Sequence, residues 1–224
     1  MIISKTFARN LLLSFFIMCS YAISADMQFD ARPFIPNTTN EPDTFSLKIG
    51  SSFFKITNNF GQMKSTFKIN SRKVPLPIKA NNIIVRAYLV MLVNSNLLIY
   101  EESDFDVGGS GIICFDSTFN EVKWKSPIYG FNLGHPICRN GFIYLSSFGF
   151  VGKLTPKTGK FVWSHQNLYY FDKINRTEFY GSFDPPTFED INVIFHDKSN
   201  KGSHSLKLID STGEIVSGLP PKAN

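Results

Sequence analysis

The chain has 224 residues, 23 Lys+Arg against 18 Asp+Glu, and 23 phenylalanines. That length is ample for one core, and no run of Lys or Arg forms a stripe, so nucleic acid is not an expected partner. Aromatic and β-branched residues dominate the apolar positions beyond the N-terminus, a composition that suits half-buried strands.

Residues 1–25 read as a secretory signal. Lys5 and Arg9 form a positive start, residues 11–17 supply an apolar stretch, and Ala22, Ser24 and Ala25 offer a small-residue cleavage site before Asp26. An uncleaved anchor is the alternative. A lipoprotein signal at Cys19 is a poor fit, because Phe16-Ile17-Met18 precede it. Cleavage would leave 21 Lys+Arg against 18 Asp+Glu. Elsewhere no stretch approaches the roughly 18 apolar residues of a membrane helix. The chain is therefore expected to be exported, to the periplasm or cell exterior, with no membrane span after leader cleavage.

Residues 26–44 carry Pro33, Pro36 and Pro42 and read as an irregular lead-in, leaving residues 45–224 as a single domain. Residues 45–49 and 53–56 alternate around Gly50-Ser51-Ser52, as a hairpin does. Residues 63–69 form another predicted strand, with Phe67 and Ile69 on one face and Lys64 and Lys68 on the other; residues 72–80 read as a connection. Residues 88–93 are a continuous apolar run, expected of a strand covered on both faces. The turn Asn94-Ser95-Asn96 leads into a return strand at 97–100.

A repeat then emerges. Ile112-Ile113-Cys114-Phe115-Asp116-Ser117-Thr118-Phe119-Asn120-Glu121-Val122-Lys123-Trp124 is matched 39 residues later by residues 151–163, ending at Trp163, and more weakly by residues 208–217. Each copy is a short strand, a polar turn and an alternating strand. A hairpin precedes each, at 88–100, at 136–145 and around 192–195. Units of four strands thus span 86–125, 134–166 and 188–217, and strands at 45–69 make a first blade. Self-similarity at about a 40-residue period marks a propeller or solenoid, because one unit cannot bury its apolar face alone. The expected fold is all-β: a small β-propeller-like fold of about four four-stranded blades, either closed or left incomplete and open.

These residues resemble the quinoprotein-like β-propeller repeats, also called pyrroloquinoline-quinone-type repeats, whose blades read apolar-Asp-x-x-Thr-Gly-x-x-x-Trp. Phe115, Asp116 and Trp124 fit in one unit, with Asn120 where glycine is usual. Leu154, Thr158, Gly159 and Trp163 fit in the next, with Thr155 replacing the aspartate. Ile209, Asp210, Thr212 and Gly213 fit the last, where Ser217 replaces tryptophan. The resemblance implies a frame: Gly or Asn accepts positive φ at the turn, Asp bonds its own turn, and Trp fills the space between blades. It does not carry quinone binding over, since adjacent cysteines are missing and the blades are too few. No cofactor is expected.

Cys114 and Cys138 would be the two cysteines of the mature chain; in an exported protein they could form one disulfide, the alternative being two buried thiols. His135, His165, His196 and His204 have no metal-pair spacing. Asp104-Phe105-Asp106 opens like a calcium loop but lacks the closing acid. The sequons at Asn37 and Asn175 matter only in a eukaryotic source.

Between the last two units, residues 167–187 form an aromatic-rich insertion. Tyr169, Tyr170, Phe171, Phe179, Tyr180 and Phe183 are the candidate partner-binding residues, the alternative being a cap folded onto the core. The leading functional expectation is an exported non-catalytic protein that binds another protein through blade loops and this insertion. An inhibitor or immunity-type protein against an exported enzyme, and a hydrolase with carboxylates from separate blades, are the competing expectations.

Overall fold

The computed structural model describes residues 30–36, 44–104, 108–168, 170–172, 177–179, 181–198 and 205–218, so the expected leader lies outside the described residues. The strands in chain order begin with β1 (Arg32–Pro33), β2 (Ile35–Pro36), β3 (Thr44–Ile49), β4 (Ser52–Asn59), β5 (Lys64–Ile69) and β6 (Arg72–Val74). Next come β7 (Ile83–Met91), β8 (Ser95–Ser103), β9 (Gly108–Asp116) and β10 (Val122–Ile128). A third group is β11 (Ile137–Arg139), β12 (Phe142–Ser147), β13 (Phe150–Thr155) and β14 (Lys160–His165). After the hairpin of β15 (Tyr170–Asp172) and β16 (Thr177–Phe179), the last group is β17 (Thr187–Glu189), β18 (Asn192–His196), β19 (Ser205–Ile209) and β20 (Ile215–Ser217).

Four antiparallel sheets result, each a blade. Their orders are β2-β3-β4-β5-β6, β1-β7-β8-β9-β10, β11-β12-β13-β14 and β17-β18-β19-β20. Two expectations are corrected. The lead-in is not wholly irregular, because β1 pairs with β7 and β2 with β3, joining the first two blades. Pro33 and Pro36 are tolerated there because both strands are edges, where a missing N–H removes no ladder bond. Nor is 72–80 all connection: residues 72–74 are the outer strand of the first blade, paired with β5.

Alternation places the core between blades. On β8, Leu98 and Tyr100 face the first blade while Leu97 and Ile99 face the third, which is why this stretch reads as unbroken apolar sequence. On β12, Ile143 and Leu145 turn to the second blade and Tyr144 to the fourth. One buried polar bridge crosses the first junction. Asn58 Nδ2 donates to the Ile84 carbonyl (2.7 Å), and Ser65 Oγ donates to Asn58 Oδ1 (2.6 Å) while accepting from the Ile84 amide (2.8 Å). Three apolar clusters fill the three junctions; among the described residues none joins the first blade to the fourth. The outward side of the fourth blade is mixed: His196 lies between Ser205 Oγ (2.9 Å) and Thr187 Oγ1 (3.0 Å) and Lys207 pairs with Glu189 (3.2 Å), while Ile194 lies between Thr187 and Lys207. The fold is an open, four-bladed, propeller-like array whose end blades turn mainly polar residues outward.

The repeat residues are the interlocks of this array. A Cβ on Gly159 would sit 2.5 Å from the Trp124 ring, and one on Gly213 would sit 2.5 Å from the Trp163 ring. Each tryptophan therefore lies on the turn glycine of the following blade. Trp163 Nε1 also donates to the Asp210 carbonyl (2.8 Å), and His165 Nε2 approaches the Gly213 carbonyl (2.7 Å). The first blade sends Arg72 instead, whose guanidinium donates to Asn120 Oδ1 and the Thr118 carbonyl. No indole arrives at that turn, so Asn120 can stand where glycine is usual. Positive φ at this turn falls on Phe119 (59°), one residue before Asn120, a correction to the expected position.

The aspartates of the repeat divide their work. Asp116 holds its own turn, accepting from the Asn120 amide (2.6 Å), the Glu121 amide (2.9 Å) and the Thr118 hydroxyl. Asp210 instead reaches back to the third blade, accepting from Tyr144 Oη (2.7 Å) and the buried Lys153 Nζ (3.0 Å). That ammonium also lies over the Phe142 ring at 4.3 Å, a second source of compensation for its burial.

Candidate binding surface at the loop end of the blades

Antiparallel blades separate two kinds of connection. The turns at 92–94, 117–121, 140–141, 156–159 and 210–214 lie at one end. The described longer connections, at 75–82, 129–136 and 181–186, lie at the other, as do the ends of β8, β14 and β18. Segments free of ladder constraints are where a rigid β frame displays recognition groups.

At this end the connection from the second blade to the third is pinned at several points. The Glu101 carboxylate on β8 accepts from the Asn132 amide (3.0 Å) and the Leu133 amide (2.9 Å). Arg86 lies 3.9 Å from Glu101 and donates to the Leu133 carbonyl. Asn132 Nδ2 donates to Ser182 Oγ (3.0 Å), and the buried Ser147 donates to the Tyr129 carbonyl. Main-chain bonds from Gly149 to the Gly181 carbonyl (2.9 Å) and from Leu168 to the Gly149 carbonyl (3.0 Å) fasten both ends of the insertion to the third blade.

The result is a fixed pair of rings at the surface. Phe131 and Phe148 stack with centroids 5.0 Å apart and planes 10° from parallel. Phe131 remains 48% exposed, and Tyr129, 38% exposed, donates its hydroxyl to Asn167 Oδ1 (2.8 Å). The Phe148 amide donates to the Phe131 carbonyl (2.6 Å), so backbone as well as rings ties the pair. An aromatic pair held in water by its backbone has already lost much of the freedom that binding would remove. These residues were missed in the sequence reading. The available signal was their setting, Tyr129-Gly130-Phe131 and Phe148-Gly149, where glycine-flanked aromatics follow one unit and split the next.

The expected binding residues fare differently. Phe183 belongs to the core: it is 2% exposed, lies 5.9 Å from the Phe195 ring and bridges in backbone to Asp197. This corrects its assignment to a partner surface, because the chain must turn inward there to begin the fourth blade. Tyr170 pairs with Phe179 across the β15–β16 hairpin, and Phe171 lies in the same strand. Tyr169, Tyr180 and the side chains of that hairpin lie outside the described residues, as do His204, Asn37 and Asn175.

Cys114 and Cys138 are separate thiols, so of the two alternatives the possible bridge is not formed. Cys114 is buried against β8 and β10, whereas Cys138 lies on the edge strand β11. Burial, reinforced by Asp30, pushes the Cys138 thiol up to about 12, which removes nucleophilic thiolate near neutrality. His135 stacks edge-on against Tyr88 (5.0 Å), far in sequence and role from His196 on the outer face of the fourth blade. Among the described residues no group of three or more His, Cys, Asp or Glu is placed to hold a metal ion. No helix of the described residues is long and apolar enough to cross a membrane.

No family model matches the chain, and no curated protein matches it. Among solved structures it is similar to apo AztD from Citrobacter koseri, at 12% identity and a TM-score of 0.38, over 80% of this chain and 44% of that one. The chain thus spans less than half the length of that protein.

Proposed function

We propose that this chain is an exported, non-catalytic binding protein that holds another protein at the loop end of its blades. The observation that carries the reading is Phe131, exposed beside Tyr129, stacked on the half-buried Phe148 and fixed to the frame through Glu101, Asn132 and Ser147. Rigid aromatics with a polar handle are the side chains that anchor protein interfaces, because they bury large area at small entropic cost. In this reading the blade repeat is a diverged quinoprotein-like scaffold without a quinone, and residues 1–25 direct its export to the periplasm or cell exterior.

The test is capture from native envelope extract with mature protein and with Phe131→Ser. A partner retained by the parent and lost by the variant is the expected outcome, corresponding to at least about 2 kcal/mol for a central aromatic anchor. Equal capture by the two proteins would remove the aromatic pair from the binding surface. Circular dichroism of the variant checks that the blades remain folded.

A further inference from the structure

Among the described residues, the face of the first blade that points away from the second carries charge of one sign. Residues 44–100 contain eight Lys and Arg and no Asp or Glu. Alternation along β3, β4, β5 and β6 sends Phe45, Phe54, Ile56, Phe67 and Val74 into the core. It sends Lys48, Lys55, Lys64, Lys68 and Lys73 to the opposite face. Register then aligns three of them: Lys55 is directly opposite Lys68, and Lys68 directly opposite Lys73. Their backbones are about 5 Å apart from strand to strand. In the neighbouring rows Thr57 faces Thr66 and Asn59 faces Lys64. Lys55, Thr57, Asn59, Lys64, Thr66 and Lys68 line a shallow concavity of about 360 Å³. The expectation that the basic residues form no stripe is thereby corrected; they are dispersed in sequence and brought into one row by strand register.

Like charges directly opposite on neighbouring strands repel and weaken a sheet. Among the described residues the ion pairs involve Arg86, Lys153, Lys198 and Lys207, and none of the five lysines of this face. A polar end cap does not require such a row. The fourth blade caps the other end of the array with neutral hydroxyls and a Lys207–Glu189 pair. Among the described residues no carboxylate pairs with the row, so its repulsion is relieved by any acidic group brought against it.

We infer that this face docks an acidic polypeptide segment whose carboxylates complete the lysine row. Alternate side chains of an extended segment project to one face about 7 Å apart, a spacing that flexible lysine stems on adjacent strands can meet. The Thr57 and Thr66 hydroxyls and the Asn59 amide add neutral donors. Two features favour carboxylates over nucleic acid. Every cation of the row is a lysine point charge rather than the guanidinium fork suited to phosphate, and no aromatic side chain lines the concavity itself, the exposed Phe53 of the same face lying outside it opposite Lys48. The face shares no residue with the Phe131–Phe148 surface, so the inference stands apart from the reading of that end.

Anisotropy with a short fluorescent Asp/Glu peptide at low salt tests it. Parent protein and Phe131→Ser should bind the peptide alike. Lys55→Gln/Lys68→Gln/Lys73→Gln should weaken binding at least tenfold, about 1.4 kcal/mol or more. Lys125→Gln/Lys157→Gln/Lys160→Gln, with the same charge removed elsewhere, should leave it within about twofold. The row variant should also melt at a higher temperature than the parent, because the repulsion is relieved. Equal weakening by both triple variants, a lower melting temperature for the row variant, or tighter binding of single-stranded DNA or phosphatidylserine vesicles than of the peptide would each overturn the inference.

Discussion

Gly159 holds φ at +70° with the Trp124 ring where a side chain would begin, whereas Gly50 holds φ at +57° in open space. The pair separates conformational cost from contact cost. Gly50→Ala should lose about 1 kcal/mol, the left-handed penalty alone. Gly159→Ala should lose about 2–5 kcal/mol, since the indole must also move. Chemical denaturation of the two variants measures the difference, and equal losses would mean that Trp124 does not press on that turn. Asp116 makes a second prediction at this scale. Amides of Glu121 and Asn120 and the Thr118 hydroxyl hold its carboxyl down at about 2. A depressed carboxylate contributes stability that is fully present above its unfolded value, near 4, and is lost as pH falls through the folded value. Titration of the Asp116 carboxyl by nuclear magnetic resonance should give a midpoint near 2; a midpoint near 4 would show that the turn does not grip it.

At the scale of the element, the pattern of tryptophans follows from blade order. Trp124 and Trp163 each have a following blade, whereas Ser217 ends the last strand of the last blade and is exposed. Trp163→Ala should therefore cost about 3–5 kcal/mol, and Ser217→Trp should change stability by no more than about 0.5 kcal/mol. A large gain from Ser217→Trp would reveal a surface waiting for that ring. Much of this was legible in the sequence, because four-strand units announce themselves by alternation and by their shared turn. The two-residue strands β1 and β2 were not: a pair of residues has no period, and Pro33 and Pro36 carry the ordinary signature of a loop. The roles of Asp116 and Asp210 were equally hidden. Both precede a polar turn in sequence, and only register shows that one bonds its own turn while the other serves the neighbouring blade.

Across the whole molecule the two ends of the array do different things. Tight turns and interlocks gather at one end, so that end is concerned with holding blades together. Longer connections, the hairpin of the insertion and the stacked pair of exposed Phe131 and half-buried Phe148 gather at the other. The candidate region was partly legible, since an aromatic insertion interrupting a repeat marks a place where the frame is not the constraint. Phe183 was misassigned because an aromatic that restarts a blade cannot be told from one that faces solvent without knowing where the chain turns inward. Phe131 and Phe148 were overlooked because one lies in the connection between two units and the other in a turn within the next, and only the fold stacks them. The most direct check of the proposed binding surface is amide hydrogen exchange of the protein with and without a partner captured in the proposed experiment. Protection on binding should appear at residues 129–132 and 147–149, with the turns at 117–121, 156–159 and 210–214 unchanged; protection confined to those turns would contradict the account.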